Sequence, residues 1–480
     1  DPKSPPSLNH KRLQTLITLH RTLLYEHHDF FRASQHPSAS PPLRRLASKY
    51  AMPARLWRHG IHSFLEVLRH LLPASLDHML AFIYLSYSMI ALLYETVSAF
   101  EDTWIECLGD LGRYRMAIED DNVRDREIWT NVARSWYIKA SNKAPTTGRL
   151  YHHLAILARP NAVEQLFFYS KSLCTPVPFE SARESILTLF EPFLETSHDT
   201  ENKRSHYFDY IFIKTHGILF TNRLADLFEP SVQILTNELH RLLRNELFIS
   251  SHIYLYAITN CISLLGYGSK TNTLKKLIAE PNQTTEQMSD NVEDNLKEMD
   301  SLLSRGQAQY LYNAVLVTML EVTCLHDPEI RSYVHDSDIL SYLHVTLVFI
   351  YYISCTAGAM AHIEAEFPWK LLAIKLNQLC QHVENFDQIE GSKLPGLTII
   401  EGTLLPEDFA LRGLTWAANY FPENLFTTDR IEEQERNRGN PCLIPLRRER
   451  ILWLACRIAD VKSPLFYQTG NFSVVEVNHS

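Results

Sequence analysis

The side chains in this sequence that could do chemistry are cations and imidazoles rather than a catalytic set. Arg44, Arg45, Lys49, Arg55, Arg58 and Arg69 fall in one stretch that carries a single acid, Glu66. Near the other end stand Arg447, Arg448 and Arg450. Such clusters can neutralise phosphates, and the interleaved Trp57 and Trp453 could stack on the bases of a single strand. Nucleic-acid binding by Arg44, Arg45, Lys49, Arg447, Arg448 and Arg450 is therefore one reading. The plainer one is that the Arg-rich faces are solvated and both tryptophans, set in apolar patterns, belong to the core. Catalysis has no such foothold. No HExxH, GxSxG, Walker A or dinucleotide-binding glycine pattern occurs. His59 and His62 are three apart, but no Cys or carboxylate at ligand spacing completes a zinc set. His152 and His153 are adjacent and point apart on a helix. No enzyme activity, metal or cofactor is expected.

Composition sets the bounds. At 480 residues the chain can bury a large core and should divide into two or three domains. Its hydrophobic content of 45% and charged content of 21% are ordinary for a globular protein. Only 15 glycines, with Leu, Ala and His in long periodic runs, argue for helices over dense β-hairpins. The net charge of −9 argues mildly against a dedicated nucleic-acid binder. The 8 cysteines are scattered without a CxxC pair, so free thiols in a reducing compartment are expected, and a nuclear or cytoplasmic location with them. The chain opens on Asp1 rather than Met, as a fragment of a longer protein would. The uncharged run Val345 to Ala361 is short for a membrane span, which needs about 20 residues, and reads as a buried bundle helix.

The positioning elements follow from periodicity. An amphipathic helix is expected around Leu13 to Leu24, and Met79 to Tyr94 reads as a helix buried on most sides. Ala133, Tyr137, Ala140 and Pro145 fit A-x3-[FY]-x2-A-x4-P, the second half of a tetratricopeptide (TPR) unit. The small residues let a neighbouring helix approach, Tyr137 fills the gap, Pro145 ends the helix and Gly148 supplies turn freedom. Expected domains are residues 8–198 and, after a polar break at Ser197 to Ser205, residues 199–462. A polar surface insertion at about 266–300 and a tail at 463–480, disordered or paired as a strand, complete the layout.

LGDLGRYR and APTTGRLYHHLAILA, with Phe212 to Gly217, FPWK at Phe367, LPEDFALRG at Leu405 and RILWL at Arg450, resemble the SMG factors of nonsense-mediated mRNA decay in order and kind. They equally resemble the Ever-Shorter-Telomeres proteins that accompany telomerase. The resemblance covers most of residues 10–462 and implies an all-α, α-solenoid-like chain: a 14-3-3-like, TPR-type region, then antiparallel helical hairpins. One family branch adds a PIN nuclease domain; the residues here stop after the helical region, so that activity is not expected of them.

The resemblance also implies a site. In 14-3-3 proteins a phosphate pocket combines basic residues seven apart on one helix with an Arg-Tyr pair on another. Arg113-Tyr114 occupies the Arg-Tyr place here. Leu56-Trp57 aligns the other helix, putting His62 where phosphopeptide binders have Lys, with Arg69 seven residues on and Arg58 an alternative cation. An arginine can grip phosphate bidentately and a phenol can donate to it. His62 is the departure. Imidazole loses its charge near neutrality, so binding there is expected to weaken as pH rises. The implied function is a non-enzymatic adaptor that binds a phosphorylated protein partner, the RNA helicase of nonsense-mediated decay, or a sibling family member. The alternatives are a telomerase-associated binder of telomerase RNA or single-stranded telomeric DNA, and a diverged scaffold without phosphate binding.

Overall fold

Few glycines and long apolar-periodic runs leave the chain little choice but helices. The computed structural model is 76% helical, with almost no sheet. It describes residues 10–120, 122–195, 207–244, 252–279, 292–325, 333–383, 385–396, 404–423, 425–426, 443–461 and 463–475. The chain forms two compact units, Asp1–Pro145 and Thr146–Ser480. The polar break expected at Ser197 to Ser205 lies outside the described residues.

The first unit is built from α1 (His10–Ser34), α2 (Pro41–Lys49), α3 (Met52–Arg55), α4 (Ser63–His70), α5 (Leu76–Thr96), α6 (Glu101–Ala117) and α7 (Val123–Lys143). Between α3 and α4 the helix continues as a π-helical segment, Leu56–His62. Its core gathers Leu24, Phe31, Leu56, Phe64, Leu68, Phe82, Ile90 and Trp104. In α5 the buried side chains form one stripe: Met79, Phe82, Ile83, Ser86, Met89, Ile90 and Leu93. Tyr84 and Leu92 stand 48% and 43% exposed, so this helix is buried on one face rather than most sides. It is long and apolar enough to cross a membrane by length and composition, but that stripe packs it as a core helix.

α6 and α7 meet closely because α6 lacks side chains where they touch. A Cβ on Gly112 would lie 3.2 Å from Ala133, and one on Gly109 would lie 3.0 Å from the Tyr137 ring. The TPR-type spacing thus acts as expected, with Ala133, Tyr137 and Ala140 all buried. Gly148 differs. It is the first residue of α8 (Gly148–Leu157), and a Cβ there would meet the Ser172 carbonyl at 2.3 Å. Close approach, not turn freedom, requires glycine at that position.

The second unit continues with α9 (Ala162–Leu173), α10 (Ala182–Glu195), α11 (Tyr207–Thr221) and α12 (Phe228–Arg244), each packed on the one before, as in a solenoid. That order then breaks. α13 (Ile253–Leu264) returns to pack on α9, and α14 (Thr273–Ala279) precedes the long α15 (Val292–Leu325). The expected insertion is therefore only partly a surface feature: Tyr267 is 3% exposed, and Gly268, at φ +75, packs on the Leu173 carbonyl. Next come α16 (Tyr333–Ser354), α17 (Ala357–Met360), α18 (Trp369–Cys380), α19 (Asp387–Glu390), α20 (Pro406–Leu411) and α21 (Leu443–Asp460). Val345, Leu347, Val348, Phe349, Ile350 and Ile353 of α16 are fully buried, as expected of a bundle helix.

The tail pairs with itself. β1 (Leu465–Gln468) and β2 (Asn471–Val474) form an antiparallel hairpin closed by Thr469 and Gly470 at φ +42 and +78. Positive φ at both central residues matches the right-handed strand twist. Asn377 of α18 docks it, donating to the Phe472 carbonyl at 2.9 Å and accepting from the Phe472 N–H at 2.7 Å.

Candidate anion-binding site

Two of the five residues assigned to the pocket, Arg69 and Tyr114, converge on one carboxylate, that of Glu66. His62 ends the π-helical segment, and Glu66 and Arg69 follow in α4 at spacings of four and three, so the three share a helical face. Tyr114 of α6 donates its hydroxyl to Glu66 Oε1 at 2.6 Å. Arg69 Nη2 donates to Glu66 Oε2, also at 2.6 Å. The His62 ring meets the Tyr114 ring edge-on at 6.2 Å, and the Trp57 ring lies 6.0 Å from His62. Burial pushes the Glu66 carboxyl up, but the Tyr114 hydrogen bond and Arg69 reverse this and hold it below the usual carboxylate range. Burial and the same Glu66 contact push the Tyr114 phenol up, so it stays a donor.

Arg113 is held from the α7 side. Its Nη2 donates to Asp110 Oδ1 at 3.1 Å, and Tyr137 donates its hydroxyl to the same oxygen at 2.6 Å. The guanidinium lies over the Tyr114 ring at 5.6 Å. Burial pulls the Arg113 pKa down, while Tyr137 and Asp110 more than offset that, so its charge is secure. The TPR-type tyrosine thus props the Arg-Tyr pair through Asp110. Arg58 is exposed, and among the described residues no hydrogen bond or ion pair joins its side chain to this group.

Glu66 was missed as a site residue. The signal was present: Glu66 is the lone acid in a basic stretch and sits on the face shared by His62 and Arg69.

The second set of candidate cations is corrected. Arg447 and Arg450 are 3% and 0% exposed. Arg447 forks onto Glu407 at 2.6 and 2.9 Å, and Arg450 binds Asp408 at 2.5 Å. A polyanion cannot reach either. Their side chains reach the start of α20, where Pro406 opens the helix and the buried Glu407 and Asp408 follow. Burial pushes the Glu407 carboxyl up, but Arg447 and His344 more than reverse this and hold it at about 2. Arg448 is partly buried and donates to the His382 carbonyl at 3.4 Å. Trp453 is core, 7% exposed, donating to the Gly391 carbonyl at 2.9 Å. Trp57 is half-buried against the first unit's core. Arg44, Arg45 and Lys49 are exposed on α2, with Arg44 donating to the Pro37 carbonyl.

Two of the sequence words meet in the second unit. Lys171 is buried, donates to the Ala410 carbonyl at 2.7 Å and lies 4.2 Å from the centre of the Tyr151 ring. Burial lowers its pKa well below the ordinary lysine value. It ties YHHLAILA to LPEDFALRG. Phe212 to Gly217 is likewise interior: His216 sits between the Tyr267 hydroxyl at 2.5 Å and Asn260 Oδ1 at 3.0 Å. Among the described residues no group of three His, Cys, Asp or Glu is placed to hold a metal ion.

The chain's described elements are helical apart from its tail hairpin, its ion pairs at Glu407 and Asp408 are interior, and charged residues gather around Glu66 on the first unit. The family model described as the Est1 DNA/RNA binding domain matches residues 133–421, more than half of the chain, and the chain belongs to that family. Telomerase-binding protein EST1A of Danio rerio is 40% identical over 88 residues, 18% of this chain and 5% of that protein. Nonsense-mediated mRNA decay factor SMG7 of Danio rerio is 27% identical over 161 residues, 33% of this chain and 12% of that protein. The chain therefore spans a small part of these relatives' length. A chain in the crystal structure of Est1 and Cdc13 superposes with a TM-score of 0.60 at 12% identity, covering 97% of this chain and all of that one. That likeness shows the fold alone.

Proposed function

We propose that the chain is a non-enzymatic adaptor whose first unit binds a phosphorylated Ser or Thr of a partner protein at His62, Arg69, Arg113 and Tyr114. One observation carries this: a guanidinium and a phenol from two different helices already converge on one anion, the Glu66 carboxylate, at 2.6 Å each. A phosphate needs the same donors and offers more acceptor oxygens to them. The names of the relatives point to RNA surveillance or telomerase. The partner class is then the RNA helicase of nonsense-mediated decay, or a sibling family member, met in the nucleus or cytoplasm. The 14-3-3-like character of the first unit belongs to this same reading.

A second reading is favoured by the family model's description as a DNA/RNA binding domain. In it the ligand is telomerase RNA or single-stranded telomeric DNA. Arg44, Arg45 and Lys49 are its exposed candidates, but they lie outside the matched residues 133–421. The phosphate site lies outside those residues too, and the phosphate reading is preferred because donors from two helices converge on one anion there.

Calorimetric titration with a phosphoserine peptide and its unphosphorylated twin tests the preferred reading. Wild type binds only the phosphorylated form. Arg69→Ala and Tyr114→Phe each weaken that binding by about 1.5–3 kcal/mol, the range for a hydrogen bond to a charged group. Equal binding of both peptides, or indifference to both substitutions, sinks the proposal.

A further inference from the structure

We infer that Glu66 is an internal occupant of the phosphate site, which an incoming phosphate must displace. The inference rests on the phosphate reading. Each arginine of the cluster already faces a carboxylate, Arg69 with Glu66 and Arg113 with Asp110. The two acids are not equivalent. The Asp110 side chain is 14% exposed and is clamped by Tyr137, itself 1% exposed, so it stays. The Glu66 side chain is 28% exposed on the outer face of α4, and its Arg69 partner is 54% exposed. A glutamate at that position can swing to solvent by rotamer change alone, carrying Arg69 or releasing it.

The consequence is selectivity by charge. With Glu66 in place the site already contains a carboxylate, so a peptide carboxylate offers nothing that Glu66 does not already supply. A phosphate dianion brings more charge and more acceptor oxygens to Tyr114 and Arg69. With Glu66 displaced but still nearby, it repels the phosphate. Removing that charge strengthens binding, whereas a carboxylate that merely holds Arg69 in position would be missed when lost.

The test is fluorescence anisotropy on the full chain with three labelled peptides that carry phosphoserine, glutamate or serine at one position. Wild type, Glu66→Gln and Glu66→Ala are compared, with thermal melting of each variant to show that it is folded. Glu66→Gln keeps an acceptor for Tyr114 and removes the charge. The expected result is phosphoserine binding about tenfold tighter in both variants, a modest share of a like-charge interaction at a half-exposed site, with wild type ignoring the glutamate peptide. If wild type binds phosphoserine and folded Glu66→Gln binds it equally or more weakly, Glu66 supports Arg69 and the inference is wrong while the phosphate site stands. If neither wild type nor the folded variants bind phosphoserine, the site and the inference fall together.

Discussion

His216 shows at the residue scale how a family word can be interior structure. It stands in the FIKTHG word, fully buried, between Tyr267 and Asn260. Burial pulls its pKa to about 3, with the Asn260 hydrogen bond opposing. An unfolded histidine titrates near 6.5. Below that pH the unfolded chain therefore takes up a proton that the folded chain refuses, and stability falls by up to about 1.4 kcal/mol per pH unit toward pH 3. Glu407 acts in a lower window. Its carboxyl sits at about 2 in the folded protein, so its stabilisation is complete above the unfolded value near 4.3 and is lost only below it. Urea unfolding between pH 6.5 and 5 should show a falling stability in wild type and a flatter profile in His216→Asn. Equal slopes would mean that His216 is charged in the folded protein. At this scale the sequence was half legible. Arg113, Tyr114, His62 and Arg69 come from the family resemblance, and periodicity adds only that His62 and Arg69, seven apart, share a helical face. Arg447 and Arg450 were misassigned because the acids that bury them, Glu407 and Asp408, come some forty residues earlier. No local pattern reveals a partner that the fold supplies.

At the scale of elements, spacing was the most readable signal. The small residues of α7 predict close approach, and the neighbour proves to be α6, which meets Ala133 and Tyr137 at Gly112 and Gly109, two glycines the sequence reading did not single out. A β-branched side chain at Gly112 would collide with the Ala133 backbone at 3.2 Å. Gly112→Val should therefore destabilise the protein by about 1–3 kcal/mol, the usual range for overpacking. It should also lower phosphopeptide affinity, because Tyr137 holds Asp110 and Asp110 holds Arg113. A Tm and affinity like wild type would show that the helix pair does not support the site. The π-helical segment Leu56–His62 was not legible. It depends on whether one extra residue per turn packs better against the core, which is a tertiary choice. The tail alternation was legible as a strand but not as a hairpin docked by Asn377 across 95 residues. The buried turn at Tyr267 hid within a stretch whose polarity suggested surface.

For the whole molecule, composition decided the class and little more. Low glycine, scattered cysteines and mild acidity describe a helical globular protein and name no function, and the ordered family words carry the membership. The account's central claim is that this chain recognises a phosphorylated protein through Arg113 and its neighbours, and not a nucleic acid along a basic surface. The most direct measurement is fluorescence anisotropy at several salt concentrations, using a phosphoserine peptide, its unphosphorylated twin and a single-stranded oligonucleotide. Wild type and Arg113→Glu are compared. The account predicts binding that requires the phosphate and is lost in Arg113→Glu. Steeply salt-dependent oligonucleotide binding that ignores Arg113, with no response to the phosphopeptide, would contradict it and favour the nucleic-acid reading.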